Sequence, residues 1–334
     1  MTIPALEPTG TLQIGILDAM PRLPRRRRSP AVPRVIVLGD LVLDVVVAPS
    51  RPLESGTDVP GRVSLRQGGS AANTARWLAR LGARTTLITA IGRDAAGRAL
   101  VSAIEADRLT IRVSRLPGAR TGRIGVVVGQ GGERSFVADR GAADMLRVGD
   151  LQTGWFVGVD LLHLPAYSLI AALGPAARRA VELTRAAGGL VSLDLSSVGP
   201  LLEGGRRAAV AMVAETAPDV LFATSTEAEA LLGLHVADAL LDLAPIAVVK
   251  RGSKGATVFA RESDARLRFE VATERLLVTD TTGAGDAFAG ALAAEMASGM
   301  PLFEAARVAV RAASLSTTAR GARTAMPTRA MLGL

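Results

Sequence analysis

Residues 279–290 read TDTTGAGDAFAG and join an apolar run at 276–278 to an alanine-rich segment with helical spacing that continues to about residue 298. The opening amides of a helix have no partner within it, and the helix dipole adds partial positive charge there. The small residues Gly283, Ala284 and Gly285 let a phosphate group approach this backbone closely. The stretch therefore predicts an anion-binding site at the start of a helix.

Asp286 places a carboxylate beside this predicted anion site. A negative charge next to a bound phosphate is unfavourable unless it has a chemical task. Taking the proton from a hydroxyl group that attacks phosphorus is such a task. The simpler alternative is that Asp280 or Thr282 caps a helix after a glycine turn.

The stretch at 280–290 resembles the C-terminal signature of the ribokinase-like (PfkB) family of sugar and nucleoside kinases. This resemblance implies that Asp286 is the catalytic base. It also implies that the backbone of residues 283–286 forms an anion hole for the transferred phosphoryl group.

A second stretch, GGSAANTARWLARLG at 68–82, resembles the N-terminal signature of the same family. That signature implies that Gly68, Gly69 and Asn73 bind the substrate that accepts the phosphate. Taken alone, the stretch also fits an ordinary helix that begins with glycine. The two motifs occur in the family's order, which favours the family interpretation.

Two further residues are candidates for contact with the acceptor substrate. Asp44 lies five residues after Gly39, which ends a short apolar strand, and the family aspartate at this spacing binds substrate hydroxyls. The alternative for Asp44 is a solvated carboxylate at a strand edge. Arg140 follows the strands predicted at about 110–138, and it either contacts an anionic or hydroxylated substrate or forms a surface salt bridge.

The nucleotide side of the site is predicted from two other segments. Residues 224–233 resemble the family's N-x-x-E segment, which implies that Glu227 orders Mg²⁺ and its waters; Thr224 replaces the family asparagine. The alternative for Glu227 is a carboxylate that complements a helix dipole. Residues 248–256 resemble the family's nucleotide loop, which implies that Lys250 or Arg251 neutralises phosphate charge and that Gly252 and Gly255 let the backbone bend; a plain glycine hairpin also fits.

The family resemblance also implies a site for a monovalent cation, K⁺, beside the anion hole. Its ligands would be a carboxylate, a threonine and backbone carbonyls near the C-terminus, and a hard cation prefers such oxygen ligands. A further family serine is Ala325 here, which removes one hydroxyl. The alternative is that Arg320 or Arg323 supplies the positive charge instead. The matching positions are Asp280, Thr282, Ser316, Ala319 and Gly321.

Composition limits the class of protein. Of the 334 residues 49% are hydrophobic, enough for a large core, and no uncharged apolar run reaches the length of a membrane span. The chain has no cysteine, which excludes disulfides and thiolate metal sites and is compatible with the cytoplasm. The net charge of +8 suits ATP, whereas the aromatic content of 3% disfavours binding to nucleic acid.

The pattern of elements predicts an α/β fold. We interpret residues 1–32, with the RRRR run at 25–28, as a disordered basic extension and residues 33–334 as one ribokinase-like kinase domain. Alternation of apolar strands, one of them at 157–164, with helices such as 168–187 predicts a doubly wound, mostly parallel sheet flanked by helices. Strands from about 44–66 and 110–138 are expected to form a small sheet, the lid.

Together these features predict a cytoplasmic, Mg²⁺-requiring enzyme that uses ATP to phosphorylate a hydroxymethyl group of a small sugar. One alternative is a nucleoside kinase of the same fold. Another is a non-catalytic regulator that binds a sugar or nucleotide and contacts nucleic acid through its basic tail. Apolar residues on both sides of the predicted lid strands favour a homodimer formed through the lid.

Overall fold

The computed structural model describes residues 32–334 except 108, 234–236, 263–264 and 323. Residues 1–31 of the predicted extension therefore lie outside the described residues, as do His235 and Arg323. The described strands are β1 (Arg34–Leu38), β2 (Val42–Pro49), β3 (Gly61–Gly68), β4 (Arg84–Gly92), β5 (Thr110–Leu116), β6 (Thr121–Val128), β7 (Arg134–Gly141), β8 (Leu161–Pro165), β9 (Leu190–Asp194), β10 (Val220–Thr224), β11 (Ile246–Lys250), β12 (Ala256–Glu262) and β13 (Ala265–Val271). The described α-helices are α1 (Ser70–Arg80), α2 (Ala95–Ala106), α3 (Gly174–Ala186), α4 (Val198–Leu202), α5 (Arg206–Thr216), α6 (Ser225–Leu232), α7 (Ala284–Ala297) and α8 (Leu302–Ser316).

Nine strands form one large sheet in the order β13-β12-β11-β10-β9-β8-β1-β4-β5. The strands from β11 to β5 pair in parallel, whereas β12 and β13 are antiparallel. Apolar side chains of α1, α2, α7 and α8 pack on one face, and those of α3, α4, α5 and α6 pack on the other. The prediction of a doubly wound, mostly parallel sheet is confirmed, because apolar runs on the central strands need cover on both faces.

The remaining four strands form the small sheet, in the order β3-β2-β6-β7. Here β2 and β6 pair in parallel, and the two outer pairs are antiparallel. The prediction that the small sheet includes residues from about 110 was wrong for β5, which pairs in parallel with β4 in the large sheet. The second contribution to the small sheet therefore begins at Thr121.

Two predicted boundaries also differ from the structure, and one strand was not predicted. The strand predicted at 157–164 is only Leu161–Pro165, because Thr153–Phe156 forms a 3₁₀ turn and Gly158 has a φ of 67°. The helix predicted from 168 begins at Gly174, after two short 3₁₀ turns, and a proline lies in its first turn. Strand β13 was not predicted, since its alternating polar residues form an exposed edge.

Among the helices of the described ranges, none is both long enough and apolar enough to span a bilayer.

Candidate active site

The site is built where the first turns of α1 and α7 meet. A Cβ atom added at Gly290 of α7 would lie 2.6 Å from Cβ of Trp77 and 3.1 Å from the carbonyl oxygen of Thr74, both on α1. Because a side chain there would force the helices apart, the glycine permits a close crossing. This crossing brings the side chains of both motifs into one site.

Asp286 lies in the first turn of α7 and accepts two hydrogen bonds from α1. Ser70 Oγ donates to Oδ1 at 2.7 Å, and Asn73 Nδ2 donates to Oδ2 at 2.9 Å. Burial raises the pKa of Asp286 to about 7 against the lowering effect of these hydrogen bonds, and Asp194 adds to the rise. A carboxylate with a pKa near neutrality suits a general base.

The start of α7 is open to a ligand. Gly283 precedes the helix with a φ of 74°, the amide of Ala284 donates to Thr281 O, and the amide of Ala287 donates to Gly283 O. Among the described residues, the amides of Gly285 and Asp286 have no hydrogen-bond partner. The structure therefore brings together two free donors and the dipole of a helix of 14 residues, which are the requirements for binding an anion.

A buried ion pair lies beside these amides. Lys250 Nζ, at the end of β11, donates to both carboxylate oxygens of Asp194, at the end of β9, at 2.8 and 2.7 Å. Burial by itself lowers the pKa of Lys250, but Asp194 and Glu227 more than offset it, so that the pKa is raised and the ammonium stays charged. Nζ lies 3.4 Å from the place where a Cβ atom of Gly285 would be. The predicted phosphate-neutralising lysine is therefore next to the anion site.

Asp44 lies on β2 where the small sheet meets the large domain, and it lines a cleft of about 870 Å³ together with Asn73. Burial raises the pKa of Asp44 to about 6, with a further contribution from the charge of Asp40. A Cβ atom at Gly68 would lie 2.1 Å from Oδ1 of Asp44, so the glycine makes room for this carboxylate. Gly69 precedes α1 with a φ of 105°. The alternative of a solvated carboxylate at a strand edge does not fit this half-buried position.

The side chain of Arg140 contacts other residues of the protein and does not face the cleft. Its Nε donates to Asp144 at 2.7 Å, its Nη1 donates to Asp40 at 3.4 Å, and the guanidinium stacks on the ring of Tyr167. Arg140 is not among the residues that line the cleft. The surface salt bridge considered for this residue is instead a largely buried one, because only 12% of the side chain is exposed.

Thr224 and Glu227 form a reciprocal cap at the start of α6. The amide of Glu227 donates to Thr224 Oγ1 at 3.2 Å, and the amide of Thr224 donates to Glu227 Oε2 at 2.7 Å. This arrangement matches the structural alternative for Glu227. The carboxylate nevertheless lies close enough to Lys250 to raise its pKa, so it belongs to the same site.

Gly252 and Gly255 lie in the tight turn between β11 and β12. The amide of Arg251 donates to Gly255 O at 2.8 Å, and a Cβ atom at Gly255 would lie 2.0 Å from the carbonyl oxygen of Val271. The hairpin alone therefore requires Gly255. Gly252 borders open space, with no atom within 4 Å of a Cβ position.

Asp280 accepts hydrogen bonds from three sides. The amide and hydroxyl of Thr282 donate to Oδ1 at 2.8 and 2.6 Å, the amide of Gly321 donates to Oδ2 at 2.9 Å, and Arg134 of β7 forms an ion pair with Oδ1. Burial raises the pKa of Asp280, but these donors and the Arg134 charge outweigh it and hold the pKa below its usual value. Three of the five predicted cation ligands therefore come together.

Among the described residues, neither of the other two predicted cation ligands, Ser316 and Ala319, forms a hydrogen bond with the carboxylate of Asp280. Ser316 is buried at the end of α8, where its hydroxyl donates to Ala313 O at 2.7 Å. Within the described part of the chain, no hydrogen bond joins Ala319 to Asp280. Of the two arginines considered as substitutes for the cation, Arg320 lines the cleft without pairing with Asp280, and Arg323 lies outside the described residues.

Three functional contacts were missed from the sequence. Ser70 was treated only as part of a motif, Asp194 was noted only as the end of a strand, and Arg134 was not singled out. The position of Asp194 and Lys250 at the carboxyl ends of two strands that flank β10 was a usable signal, since ligands bind at that edge of a parallel sheet.

Known proteins resemble this chain over most of its length. The model of the pfkB family carbohydrate kinases matches residues 32–329. The chain is similar to the fructokinase of Klebsiella pneumoniae, with 30% identity over 315 residues that cover 88% of this chain and 96% of the relative.

Two solved structures have the same fold. The adenosine kinase of Sinorhizobium meliloti superposes with a TM-score of 0.80 at 23% identity, over 91% of this chain and 100% of that one. An E. coli protein described as a ribokinase II, in complex with ATP and Mg²⁺, superposes with a TM-score of 0.77 at 23% identity, over 90% of this chain and 98% of that one. With the family model spanning nearly all of the described chain, the protein belongs to the pfkB family of carbohydrate kinases and is a phosphotransferase that acts on an alcohol group.

Proposed function

We propose that the chain transfers the γ-phosphoryl group of ATP to a hydroxymethyl group of a small sugar. The observation that carries this proposal is the carboxylate of Asp286, half-buried and held by Ser70 and Asn73, beside the free amides of α7. In the reaction, the acceptor oxygen forms a bond to phosphorus while the bond from phosphorus to the ADP oxygen breaks. Asp286 takes the proton of the acceptor hydroxyl, and the amides of Gly285 and Asp286 stabilise charge on the transferred group.

The acceptor would bind in the cleft between the small sheet and the motif helices. Asp44 offers carboxylate oxygens to sugar hydroxyls, and Asn73 keeps a buried Oδ1 that lacks a hydrogen-bond partner in the described part of the chain. A buried acceptor without a partner is costly, so a substrate hydroxyl that donates to it would be favoured. The similarity to a fructokinase supports a sugar over other alcohols.

The nucleotide would lie along Thr224, Glu227, Lys250 and the turn with Gly252 and Gly255. No group of three or more His, Cys, Asp or Glu residues that could hold a metal occurs in the described ranges. This fits Mg²⁺, which nucleotide sites hold mainly through phosphate oxygens, water and one or two carboxylates. Glu227 would hold that ion through water, and the ion would neutralise charge on the phosphates. The ATP and Mg²⁺ complex of the E. coli relative supports the same cofactors here.

The prediction of K⁺ at Asp280, Thr282, Ser316, Ala319 and Gly321 has weaker support. Hydrogen bonds from Thr282, Gly321 and Arg134 already occupy the carboxylate of Asp280, and Ala325 lacks the family hydroxyl. We propose that an arginine supplies the positive charge, so that K⁺ is not required for turnover.

We further propose that residues 33–334 act as one kinase domain, with the small sheet as its lid, and that two lids pair in a homodimer. The small sheet has an outward face that carries Val63, Leu65 and Val137, which are exposed by 67%, 66% and 71%. An apolar face of this kind is stabilised by a second copy. Light scattering of the wild type and of Leu65→Glu at micromolar concentration tests this, and a monomeric mass for the wild type would contradict it.

A nucleoside is the second candidate acceptor, because Phe136 of β7 lines the cleft and could stack on a base. The similarity in fold to an adenosine kinase is compatible with it. Phe136→Leu separates the two candidates: it should weaken nucleoside binding and leave the KM for a sugar nearly unchanged.

The decisive experiment is a coupled assay of ADP formation over pentoses, hexoses, sugar acids and nucleosides, with Asp286→Asn as the matched control. We expect acceptor-dependent ADP formation with a sugar, and almost none in the variant. The proposed function would be overturned if the rate of ADP formation did not depend on any acceptor, or if Asp286→Asn formed ADP at the wild-type rate.

A further inference from the structure

Arg134 and Asp280 connect the small sheet to the loop that precedes α7. Arg134 is the first residue of β7, at the end of the β6–β7 hairpin, and Asp280 lies 146 residues further along the chain. The two side chains are largely buried, with exposed fractions of 19% and 9%. An ion pair shielded in this way is much less weakened by solvent than a surface pair.

Asp280 organises the loop that shapes the anion site. Its Oδ1 accepts from the amide and the hydroxyl of Thr282, the residue before Gly283, while its Oδ2 accepts from the amide of Gly321. Ala322, the residue after Gly321, packs so closely on Gly283 that a Cβ atom on this glycine would lie 2.5 Å from its methyl group. One carboxylate therefore fixes both sides of the turn from which α7 starts.

A carboxylate this buried needs a cation. Among the described residues, Arg134 is the positively charged group that pairs with Asp280. Removing one partner of a buried pair leaves an uncompensated charge, which is strongly unfavourable. Without Arg134, we expect Asp280 to move toward water and its three donors to lose their common acceptor.

We propose that Arg134 is a positioning residue that, by pairing with Asp280, holds the 280–283 loop in the shape that exposes the amides of α7. This inference rests on the proposed phosphoryl transfer at that site. Because Arg134 belongs to the small sheet, the anion site is complete only while the small sheet lies over the cleft. ATP bound without the lid in place would then meet an incomplete site, which limits hydrolysis by water.

The first test compares turnover in Arg134→Ala, Arg134→Lys and a matched control. Arg120→Ala removes an arginine directly before β6 that pairs with Asp139 at 3.2 Å on the surface, where the side chains are exposed by 70% and 53%. We expect Arg134→Ala to lower kcat by about tenfold or more while the acceptor KM changes less than threefold, because the loss is in transition-state stabilisation. Arg134→Lys should retain part of kcat, and the control should match the wild type.

Chemical rescue distinguishes positioning from a general loss of structure. Millimolar guanidinium or K⁺ should raise kcat of Arg134→Ala and leave the wild type unchanged, relative to a bulky organic cation at equal ionic strength. A wild-type kcat in Arg134→Ala would overturn the proposal. So would a loss of kcat that follows a fall in Tm and is not restored by either cation or by Arg134→Lys.

Hydrogen exchange gives a readout that does not depend on catalysis. The amides of Thr282 and Gly321 should exchange faster in Arg134→Ala than in the wild type, and Arg120→Ala should leave them protected. If the wild type phosphorylates no acceptor, the proposed function fails, yet faster exchange would still support the pairing. Unchanged exchange in Arg134→Ala would contradict the positioning role whatever the reaction is.

Discussion

Helices α1 and α7 both begin after a glycine with positive φ, and their first turns touch. Their opening amides nevertheless differ in hydrogen bonding. In α1, the amide of Ala71 donates to Asp40 Oδ1 at 3.0 Å and that of Ala72 donates to Asp40 O at 3.2 Å. In α7, the amides of Gly285 and Asp286 have no partner among the described residues. One helix start is therefore capped by the protein, and the other is left open for a ligand.

This difference shows that a glycine-started helix is not a site by itself. Both starts carry the same backbone donors and the same helix dipole. Asp40 accepts from two of the opening amides of α1, and from this capped end Ser70 and Asn73 reach Asp286. The α7 start keeps its donors free, and its own carboxylate, Asp286, has the chemical task.

The largest expected effect on turnover comes from removing the carboxylate of Asp286 at the open start of α7. Asp286→Asn keeps the shape but loses the basic oxygen, so kcat should fall by about 10²–10⁴-fold. Calorimetry should show that ATP binding is retained.

The same substitution should also affect stability. Since the fold raises the pKa of Asp286 from 3.8 to about 7, the ionised carboxylate costs stability as pH rises through that window. The variant should therefore unfold at pH 8 no more easily than the wild type, and near-normal turnover would remove Asp286 from the mechanism.

The pH dependence should report the same carboxylate. Below its pKa of about 7 Asp286 is protonated and cannot accept the hydroxyl proton, so kcat/KM should fall by about tenfold per pH unit. Asp44, with a pKa of about 6, should steepen the fall at lower pH. Ser70→Ala removes a hydrogen bond that lowers the Asp286 pKa, so its acid limb should move to higher pH. A kcat/KM that does not change between pH 5.5 and 9 would count against the roles of both Asp286 and Asp44.

A methyl group at the open start of α7 should lower activity and raise stability. In Gly285→Ala a methyl group would enter the space 3.4 Å from Lys250 Nζ, where the phosphate is expected, and we expect kcat/KM for ATP to fall by about tenfold. Stability should rise by about 0.5–1 kcal/mol, because alanine is the better helix former. Gly199→Ala, in helix α4 with no atom within 4 Å of its Cβ position, is the matched control. Equal kinetics in the two variants would argue that no phosphate lies at Gly285.

The smallest effect on turnover should come from uncapping the closed start of α1. Asp40→Ala leaves the amide of Ala71 without its acceptor and removes one of the two carboxylates that pair with the largely buried Arg140, so it should lower the free energy of unfolding by about 2 kcal/mol or more. Urea denaturation measures this. Asp40 also raises the pKa of Asp44, so the Asp44 limb of the pH profile should move to lower pH. An unchanged unfolding midpoint would mean that solvent replaces the cap without cost.

Features carried by local sequence could be predicted well. Helix α2 begins directly after Asp94, a typical capping residue, whose Oδ1 accepts from the amide of Gly97 at 2.8 Å. The motif helix was expected to continue to about 298, and α7 ends at Ala297. Caps, glycine turns and helical spacing act over a few residues, so the pattern contains their physical cause.

Features that depend on distant partners could not be predicted. Residues 110–116 alternate in a way that fits either sheet, and only pairing with β4 decides the matter. Ser70 reaches Asp286 across 216 residues, and Arg134 reaches Asp280 across 146. Nothing within one segment specifies such contacts, since they arise from how the sheets and helices pack.

The parallel pairing of β2 with β6 also has a consequence for the order of folding. Leu43 pairs with Arg123, 80 positions further along the chain, and β3, α1, β4, α2 and β5 lie between the two central strands of the small sheet. Closing so long a loop carries an entropic cost, and the isolated β2–β3 hairpin is marginal in water. The small sheet should therefore assemble late, on a large domain that has already formed. During synthesis the β2–β3 hairpin, which carries Val63 and Leu65, lacks its partner strand until β6 emerges, so its unpaired edge and its apolar residues can promote aggregation in that interval.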